Sequence, residues 1–158
     1  MRARRGLNAE PVAGNLAAID AEHLRRSGRV ASSKLMTQPH PTVLIVDDND
    51  DIREGLATYI SRQGYNVETA SDGAEALSKM RSAHPGLVIL DLAMPGMTGM
   101  GFRTLQVANP DLGQIPVVVY SALGGAREIA DAMGAAAFVE KPVAMRDLMV
   151  LVHRHCLK

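Results

Sequence analysis

Five short apolar runs, each followed by a segment with helical periodicity, dominate the chain from residue 42 onward. Most of the runs are rich in Val, Ile and Leu, which is typical of strands buried on both faces, whereas the second is more polar and suits an edge. The runs are 43–46, 67–70, 87–90, 116–120 and 136–139. The apolar spacing between and after them predicts helices at 50–63, 72–80, 102–107, 126–133 and 143–155. We therefore expect an α/β fold: a doubly wound, five-stranded parallel sheet with helices on both faces.

The charge distribution divides the chain near Met36. Residues 1–35 contain seven Lys or Arg and three Asp or Glu, a net charge of +4, whereas residues 36–158 contain ten basic and fourteen acidic residues, a net charge of −4. We expect an N-terminal extension at 1–40 that is flexible or weakly helical, followed by one domain at 41–158. Two alternatives for the extension are a start-site artefact, with translation beginning at Met36, and a docking or regulatory arm.

Composition argues against several classes of protein. The formal net charge is zero and aromatic residues make up 3% of the chain, which argues against a basic nucleic-acid binder and a base-stacking platform. The single Cys156 cannot form an internal disulfide, and no Cys/His spacing indicates zinc. Because the sequence has neither a membrane-spanning apolar stretch nor a secretory signal pattern, we expect a cytoplasmic protein.

Candidate site residues follow the first, third, fourth and fifth predicted strands. Ligands of open parallel sheets bind beyond the carboxyl ends of the strands, and those positions hold Asp47, Asp48, Asp91, Ser121 and Lys141. Three carboxylates at one point repel each other and need a counter-charge, which Mg²⁺ and the lysine would supply. A carboxylate beside such cations can attack phosphorus, while the hydroxyl donates to the transferred group. Any one of these residues could simply end a strand. The prediction of a magnesium and phosphoryl-transfer site therefore depends on all five residues occurring together at the strand ends.

Four motifs at these strand ends resemble those of the receiver domain of bacterial two-component response regulators. They are Val-Leu-Ile-Val-Asp47-Asp48-Asn49, Val-Ile-Leu-Asp91-Leu-Ala-Met-Pro95-Gly96-Met-Thr-Gly99, Val-Val-Val-Tyr-Ser121-Ala122 and Ala-Phe138-Val-Glu-Lys141-Pro142. The resemblance covers 42–157. It implies a stand-alone, CheY-like receiver with the flavodoxin-like strand order 2-1-3-4-5.

The resemblance also implies a role for individual acidic residues. Asp91 matches the phosphoacceptor, and Asp48 and Asp91 match the carboxylates that bind Mg²⁺ directly. Asp47 matches the acid that reaches the metal through water, and the backbone carbonyl of Ala93 matches the third protein ligand.

Further positions match the parts of the family's switch. Ser121 matches the hydroxyl that moves to the phosphoryl group, Phe138 the aromatic ring that turns inward, and Lys141 the lysine that binds the phosphoryl group. Structural positions of the family are matched by Pro95, Gly99 and Pro142, the last after an expected cis peptide bond.

The resemblance implies that a sensor histidine kinase or a histidine phosphotransfer protein donates the phosphoryl group. Such a domain catalyses only its own phosphorylation and dephosphorylation. No DNA-binding domain is recognisable in the sequence, so the expected output is a protein that binds the face formed by the fourth helix, fifth strand and fifth helix.

One feature departs from the pattern of the best-known receivers, and another concerns the lifetime of the phosphoryl group. Ser121 and Lys141 are 20 positions apart, which is shorter than usual and implies a trimmed connection. Ala93 and Leu123 occupy positions that tune dephosphorylation in the family, and both are apolar. Since neither side chain can orient water by hydrogen bonding, slow autodephosphorylation is expected.

Two other functions stay open at this point. A small phosphatase with an aspartyl-phosphate intermediate would use similar residues, but it generally needs a second aspartate two residues after the nucleophile, where this chain has Ala93. The other possibility is an interaction module that is never phosphorylated, or a receiver segment of a hybrid kinase.

Overall fold

The computed structural model describes residues 41–156, and the extension predicted at 1–40 lies outside the described residues. The strands are β1 (Thr42–Val46), β2 (Asn66–Ala70), β3 (Leu87–Leu90), β4 (Val117–Ser121) and β5 (Ala137–Glu140). The main helices are α1 (Asp50–Arg62), α2 (Gly73–Ala83), α3 (Gly99–Val107), α4 (Ala126–Ala132) and α5 (Met145–Cys156). A one-turn helix, Pro110–Gly113, lies between α3 and β4.

All strand pairs in the sheet are parallel, and their order is β2-β1-β3-β4-β5. This confirms the predicted α/β fold with strand order 2-1-3-4-5. The polar strand β2 lies at one edge, where its exposed side chains alternate with more buried ones. The central strands β3 and β4 are buried along their whole length, as their near-continuous apolar sequence predicts.

Two hydrophobic cores cover the two faces of the sheet because successive strand residues point to opposite sides. In β1, Leu44 and Val46 enter the core beneath α2, α3 and α4, whereas Val43 and Ile45 enter the core beneath α1 and α5. The first core contains the fully buried Phe102. Helices therefore cover both faces, and the carboxyl ends of the strands form the open edge above them.

Local side chains determine where the helices begin. Asn49 caps α1 by accepting a hydrogen bond from the amide of Ile52 at 3.0 Å. Asp72 caps α2 in the same way, accepting from the amide of Glu75 at 2.8 Å. These caps satisfy amides that have no partner within the helix, and the cap of α1 lies in the loop directly after β1, next to the acids.

The structure differs from the sequence-based prediction at the start of α3 and at the one-turn helix. The spacing predicts that α3 begins at Phe102, but it begins at Gly99, because Thr98 caps it by accepting a hydrogen bond from the amide of Gly101 at 3.0 Å. The apolar spacing does not extend across the glycines, and only the capping residue marks this boundary. The one-turn helix begins after Asn109, which caps it, with Pro110 in the first turn.

No helix among residues 41–156 has the length and apolar character that crossing a bilayer requires.

The contact between Gly99 and the core predicts a specific loss of stability. A Cβ atom at this position would lie 2.3 Å from Cδ2 of the buried Leu92. We expect Gly99→Ala to lower the free energy of unfolding by about 1–3 kcal/mol, as overpacking does elsewhere. Urea denaturation followed by circular dichroism measures the change.

Gly55→Ala is the matched control, since a Cβ atom in the middle of α1 would meet nothing within 4 Å. This variant should raise stability by about 0.5–1 kcal/mol through helix propensity. Equal effects of the two substitutions would contradict the packing explanation for Gly99.

Candidate functional site

Backbone pairing between strands brings the predicted site residues to one edge of the sheet. β1 and β3 are neighbours, and the amide of Asp91 donates to the carbonyl of Val46 at 2.9 Å. Asp47 and Asp91 therefore follow adjacent strands at the same level. Ser121 is the last residue of β4, and its carbonyl accepts from the amide of Lys141 at 3.1 Å.

The ammonium group of Lys141 bridges two buried carboxylates. Its Nζ atom lies 2.6 Å from Oδ2 of Asp47 and 3.0 Å from Oδ2 of Asp91. Burial lowers the pKa of the lysine, but hydrogen bonds and charge attraction from the two acids outweigh burial and leave the pKa above its ordinary value of 10.5. Lys141 is therefore a fixed positive charge at physiological pH.

The other oxygen of Asp91 is held by two uncharged donors. Oδ1 accepts from the amide of Ala93 at 3.0 Å and from the hydroxyl of Ser121 at 2.7 Å. Burial raises the pKa of the Asp91 carboxyl. The bond from the amide, together with those from the hydroxyl and the ammonium, outweighs this effect, so the pKa lies below its ordinary value of 3.8. Asp91 is accordingly an ionised carboxylate whose orientation is fixed from both sides.

Asp48 completes a group of three acids. One carboxylate oxygen from each of Asp47, Asp48 and Asp91 lies within 4.8 Å of the others. Asp47 and Asp91 are buried, whereas Asp48 is exposed, so the group opens to solvent on one side. An all-oxygen set with an open side suits Mg²⁺, which prefers carboxylate ligands and keeps several water molecules. The residues present therefore fit this cation.

Two supporting residues were not predicted from the sequence. Arg53, on the first turns of α1, donates from Nη1 to the backbone carbonyl of Asp47 at 2.7 Å and pairs with Asp50. The aromatic ring of Tyr120 lies 4.9 Å from Nζ of Lys141, within reach of a cation–π interaction. Asp50 and Arg53 are one helical turn apart, so the sequence could have indicated their ion pair. No local sequence pattern indicates the contact between Tyr120 and Lys141.

The other residues predicted from the resemblance, Phe138, Pro95 and Pro142, are not part of the group of three acids. Phe138 is half-buried on β5, pairs with Val119 of β4, and packs against the core that contains Phe102. Pro95 is exposed in the loop between β3 and α3, which turns through Gly96 at φ +88°. The Lys141–Pro142 peptide bond is cis.

A family model of the response regulator receiver domain matches residues 43–153 of the chain. The chain belongs to the response regulator receiver domain family. Receiver domains act in two-component signalling and are generally phosphoacceptor switches rather than enzymes. They generally bind Mg²⁺ at an acidic pocket, and the acids of this receiver form such a group.

Individual relatives agree with this assignment. The receiver is 39% identical over 111 residues to the probable transcriptional regulator ycf27 of Cyanophora paradoxa, which covers 67% of this chain and 44% of the relative. It is 36% identical over 110 residues to response regulator MprA of Mycolicibacterium vanbaalenii, covering 68% and 46%. The chain spans less than half the length of these curated relatives.

Solved structures show the same fold. The chemotaxis protein CheY4 of Vibrio cholerae superposes with a TM-score of 0.67 at 31% identity, covering 73% of this chain and 98% of that chain. A response regulator receiver protein from Pseudomonas putida gives a TM-score of 0.67 at 30% identity, covering 73% and 97%.

Removing the bridging ammonium should invert the pH dependence of stability. In the wild type, the lowered pKa of Asp91 contributes stability that is present above about pH 4 and is lost as the pH falls through the folded-state pKa. In Lys141→Met, two buried acids lose their counter-charge and the pKa of Asp91 rises above its ordinary value. Stability should then fall as the pH rises from 5 to 7, with a total cost of about 3 kcal/mol at pH 7, as when a buried ion pair loses one partner.

Lys79→Met is the matched control, since the Lys79–Glu75 pair is about one-third exposed. Its loss should cost less than about 1 kcal/mol, without inverting the pH dependence. Urea unfolding of the wild type and both variants, in magnesium-free buffer at several pH values, measures the free energy of unfolding as a function of pH. A Lys141→Met curve parallel to that of the wild type would contradict the assigned role of the ammonium.

Proposed function

We propose that Asp91 accepts a phosphoryl group from a phosphohistidine donor, a sensor histidine kinase or a histidine phosphotransfer protein. The observation that carries the proposal is the setting of the Asp91 carboxylate, which is ionised, buried, and oriented by the Ser121 hydroxyl and the Lys141 ammonium. A nucleophile needs this protonation state, and a fixed orientation removes an entropic cost from the reaction.

The acidic group provides a binding site for Mg²⁺ beside this nucleophile. We assign Asp48 and Asp91 as direct carboxylate ligands, Asp47 as a ligand through water, and the backbone carbonyl of Ala93 as the third protein ligand. The clustering of the three carboxylate oxygens within 4.8 Å supports the assignment. When bound, the cation neutralises charge on the transferred group and on the acids that would otherwise repel it.

The chain's own residues account for the rest of the transfer. An oxygen of the Asp91 carboxylate forms a bond to phosphorus while the bond from phosphorus to the donor's histidine nitrogen breaks, and the imidazole leaves with that electron pair. Oδ1 of Asp91 already accepts two hydrogen bonds, whereas the Lys141 ammonium is the one donor to Oδ2 among residues 41–156. We therefore assign Oδ2 as the attacking atom, with the ammonium passing from the carboxylates to the phosphoryl oxygens.

The output that we propose is a change in the protein-binding face made by α4, β5 and α5. Ser121 links the phosphoacceptor to this face because it ends β4, the strand that pairs with β5. Phe138 lies on β5 and supplies the ring whose position changes. The stand-alone arrangement stays a prediction because the curated relatives are longer than this chain.

Covalent labelling tests the phosphoacceptor directly. After incubation with acetyl phosphate and Mg²⁺, intact-mass spectrometry should find one added phosphoryl group on the wild type and none on Asp91→Asn. Asp131→Asn, at an exposed position on α4, should label like the wild type. Labelling of Asp91→Asn to the same extent would contradict the assignment, and steady turnover of p-nitrophenyl phosphate would favour a phosphatase instead.

The phosphoryl group should be long-lived, since Ala93 and Leu123 offer no side-chain hydrogen bond to an attacking water. Both side chains are exposed beside the phosphoacceptor loops. We expect loss of the phosphoryl group over minutes or longer after removal of the donor, followed by mass spectrometry. Ala93→Asn should shorten the lifetime, whereas Ala132→Asn on α4 should not, and a wild-type lifetime of only seconds would be inconsistent with this reasoning.

A further inference from the structure

A buried tyrosine of β4 lies next to the lysine of the site. The centroid of the Tyr120 ring is 4.9 Å from Nζ of Lys141, and the residue is 6% exposed, in the core beneath α1 and α5. A cation–π interaction is stronger away from water than at an exposed site. The ring is therefore a third contact of the ammonium, besides its hydrogen bonds to Asp47 and Asp91.

The register of the sheet brings this ring to the lysine. Tyr120 pairs with Val139, and Ser121 pairs with Glu140, the residue before Lys141. Successive residues of a strand point to opposite faces of the sheet. Two consecutive residues of β4 thus hold the two charged partners from opposite faces: Ser121 donates to the Asp91 carboxylate, and Tyr120 contacts the Lys141 ammonium.

The ring attracts the ammonium as a neutral phenol. Burial raises the pKa of the Tyr120 hydroxyl above its ordinary value of 10.0, although the charge of Lys141 lowers it. The attraction is therefore between the ammonium and the electrons of the ring, and not between two ions. The other apolar residues of β4 are valines. An aliphatic side chain at position 120 would also fill the core, but it would not attract a cation.

The contact with the ring can persist while the hydrogen bonds of the ammonium change. A lysine side chain is long and has many rotamers, so the loss of a hydrogen-bond partner lets it spread over many positions. In the transfer proposed above, the ammonium leaves the carboxylates for the phosphoryl oxygens. The ring limits the positions open to the ammonium in that step, and a fixed orientation lowers the entropic cost of the reaction.

We propose that Tyr120 is a positioning residue, whose ring holds the Lys141 ammonium beside Asp91 while the phosphoryl group is transferred. The consequence for the rate rests on the proposed phosphoacceptor function of Asp91. Tyr120 acts through the lysine and takes no part in making or breaking bonds. The alternative is that the ring only fills the core beneath α1 and α5.

Nuclear magnetic resonance tests the contact in the free protein, without a phosphoryl donor. A ring current moves the signals of protons above an aromatic face upfield. In protein labelled with ¹³C-lysine, the ε-proton signal of Lys141, identified by its loss in Lys141→Met, should lie upfield of the ordinary lysine position. Tyr120→Leu should return it to that position. A wild-type signal without an upfield shift would overturn the proposal.

Tyr65→Leu is the matched control for this measurement. Tyr65 is 5% exposed and belongs to the same core as Tyr120. Its substitution removes a ring of the same size from that core, and we expect the Lys141 signal to stay upfield. Loss of the upfield shift in both variants would show that the lysine responds to core packing in general, which would also overturn the proposal.

A series of fluorinated rings tests the consequence for the rate. Fluorine withdraws electrons from the face of a ring and changes its size little, so phenylalanine, difluorophenylalanine and pentafluorophenylalanine at position 120 attract a cation progressively less. The initial rate of labelling by acetyl phosphate with Mg²⁺ should stay within about twofold of the wild type in Tyr120→Phe and fall about three- to tenfold across the series.

The same series at position 65 should leave the labelling rate unchanged. Equal rates across the series at position 120 would show that the ring only fills the core, which would overturn the proposal. If the wild type takes up no phosphoryl group at all, the proposed function of Asp91 fails, whereas the lysine signal still decides whether Tyr120 holds the ammonium.

Discussion

A single ammonium group between two buried carboxylates is the interaction on which the site depends. Asp47 and Asp91 lie almost wholly out of water at the ends of adjacent strands, and two unpaired buried carboxylates would repel each other and destabilise the fold. Lys141 contacts both through Nζ and keeps Asp91 ionised. If the Lys141 ammonium turns from the two carboxylates to a phosphoryl group, a bound cation must replace the positive charge that the lysine supplies to them.

The fold divides into a part that fixes the site and a part that can respond to it. β4 is buried along its whole length, whereas the side chains of β5 are half-buried or exposed. Ser121 and Lys141 join these two strands beside Asp91. A change in charge at Asp91 would therefore affect β5 first, because β5 is less buried than β4. Under the proposed function, this arrangement would let a rigid sheet hold the phosphoacceptor while β5 transmits its state to the surface.

Much of this architecture could be predicted because strand pattern and strand-end chemistry are local features of the sequence. The acids after β1 and β3 could be placed together once the strands were taken as parallel neighbours. Contacts that depend on side-chain conformation across elements could not be predicted: Tyr120 beneath Lys141, and Arg127 over Phe138, have no sequence spacing that indicates them. The start of α3 was missed for a different reason, since a capping threonine followed by glycines breaks the apolar periodicity. The roles of the predicted site residues stay predictions, although their positions are now defined.

A crystal structure of the receiver with Mg²⁺ and beryllofluoride, a stable analogue of the phosphoryl group, shows whether Asp91 is the phosphoacceptor and whether Lys141 moves to the phosphoryl group. We expect beryllium bound to an oxygen of Asp91 and the cation among Asp47, Asp48 and Asp91. We also expect Nζ of Lys141 to hydrogen-bond a fluoride that takes the place of its contact with Asp91. A structure at saturating beryllofluoride in which Asp91 carries no adduct and Lys141 still bridges both carboxylates would show that Asp91 is not the phosphoacceptor.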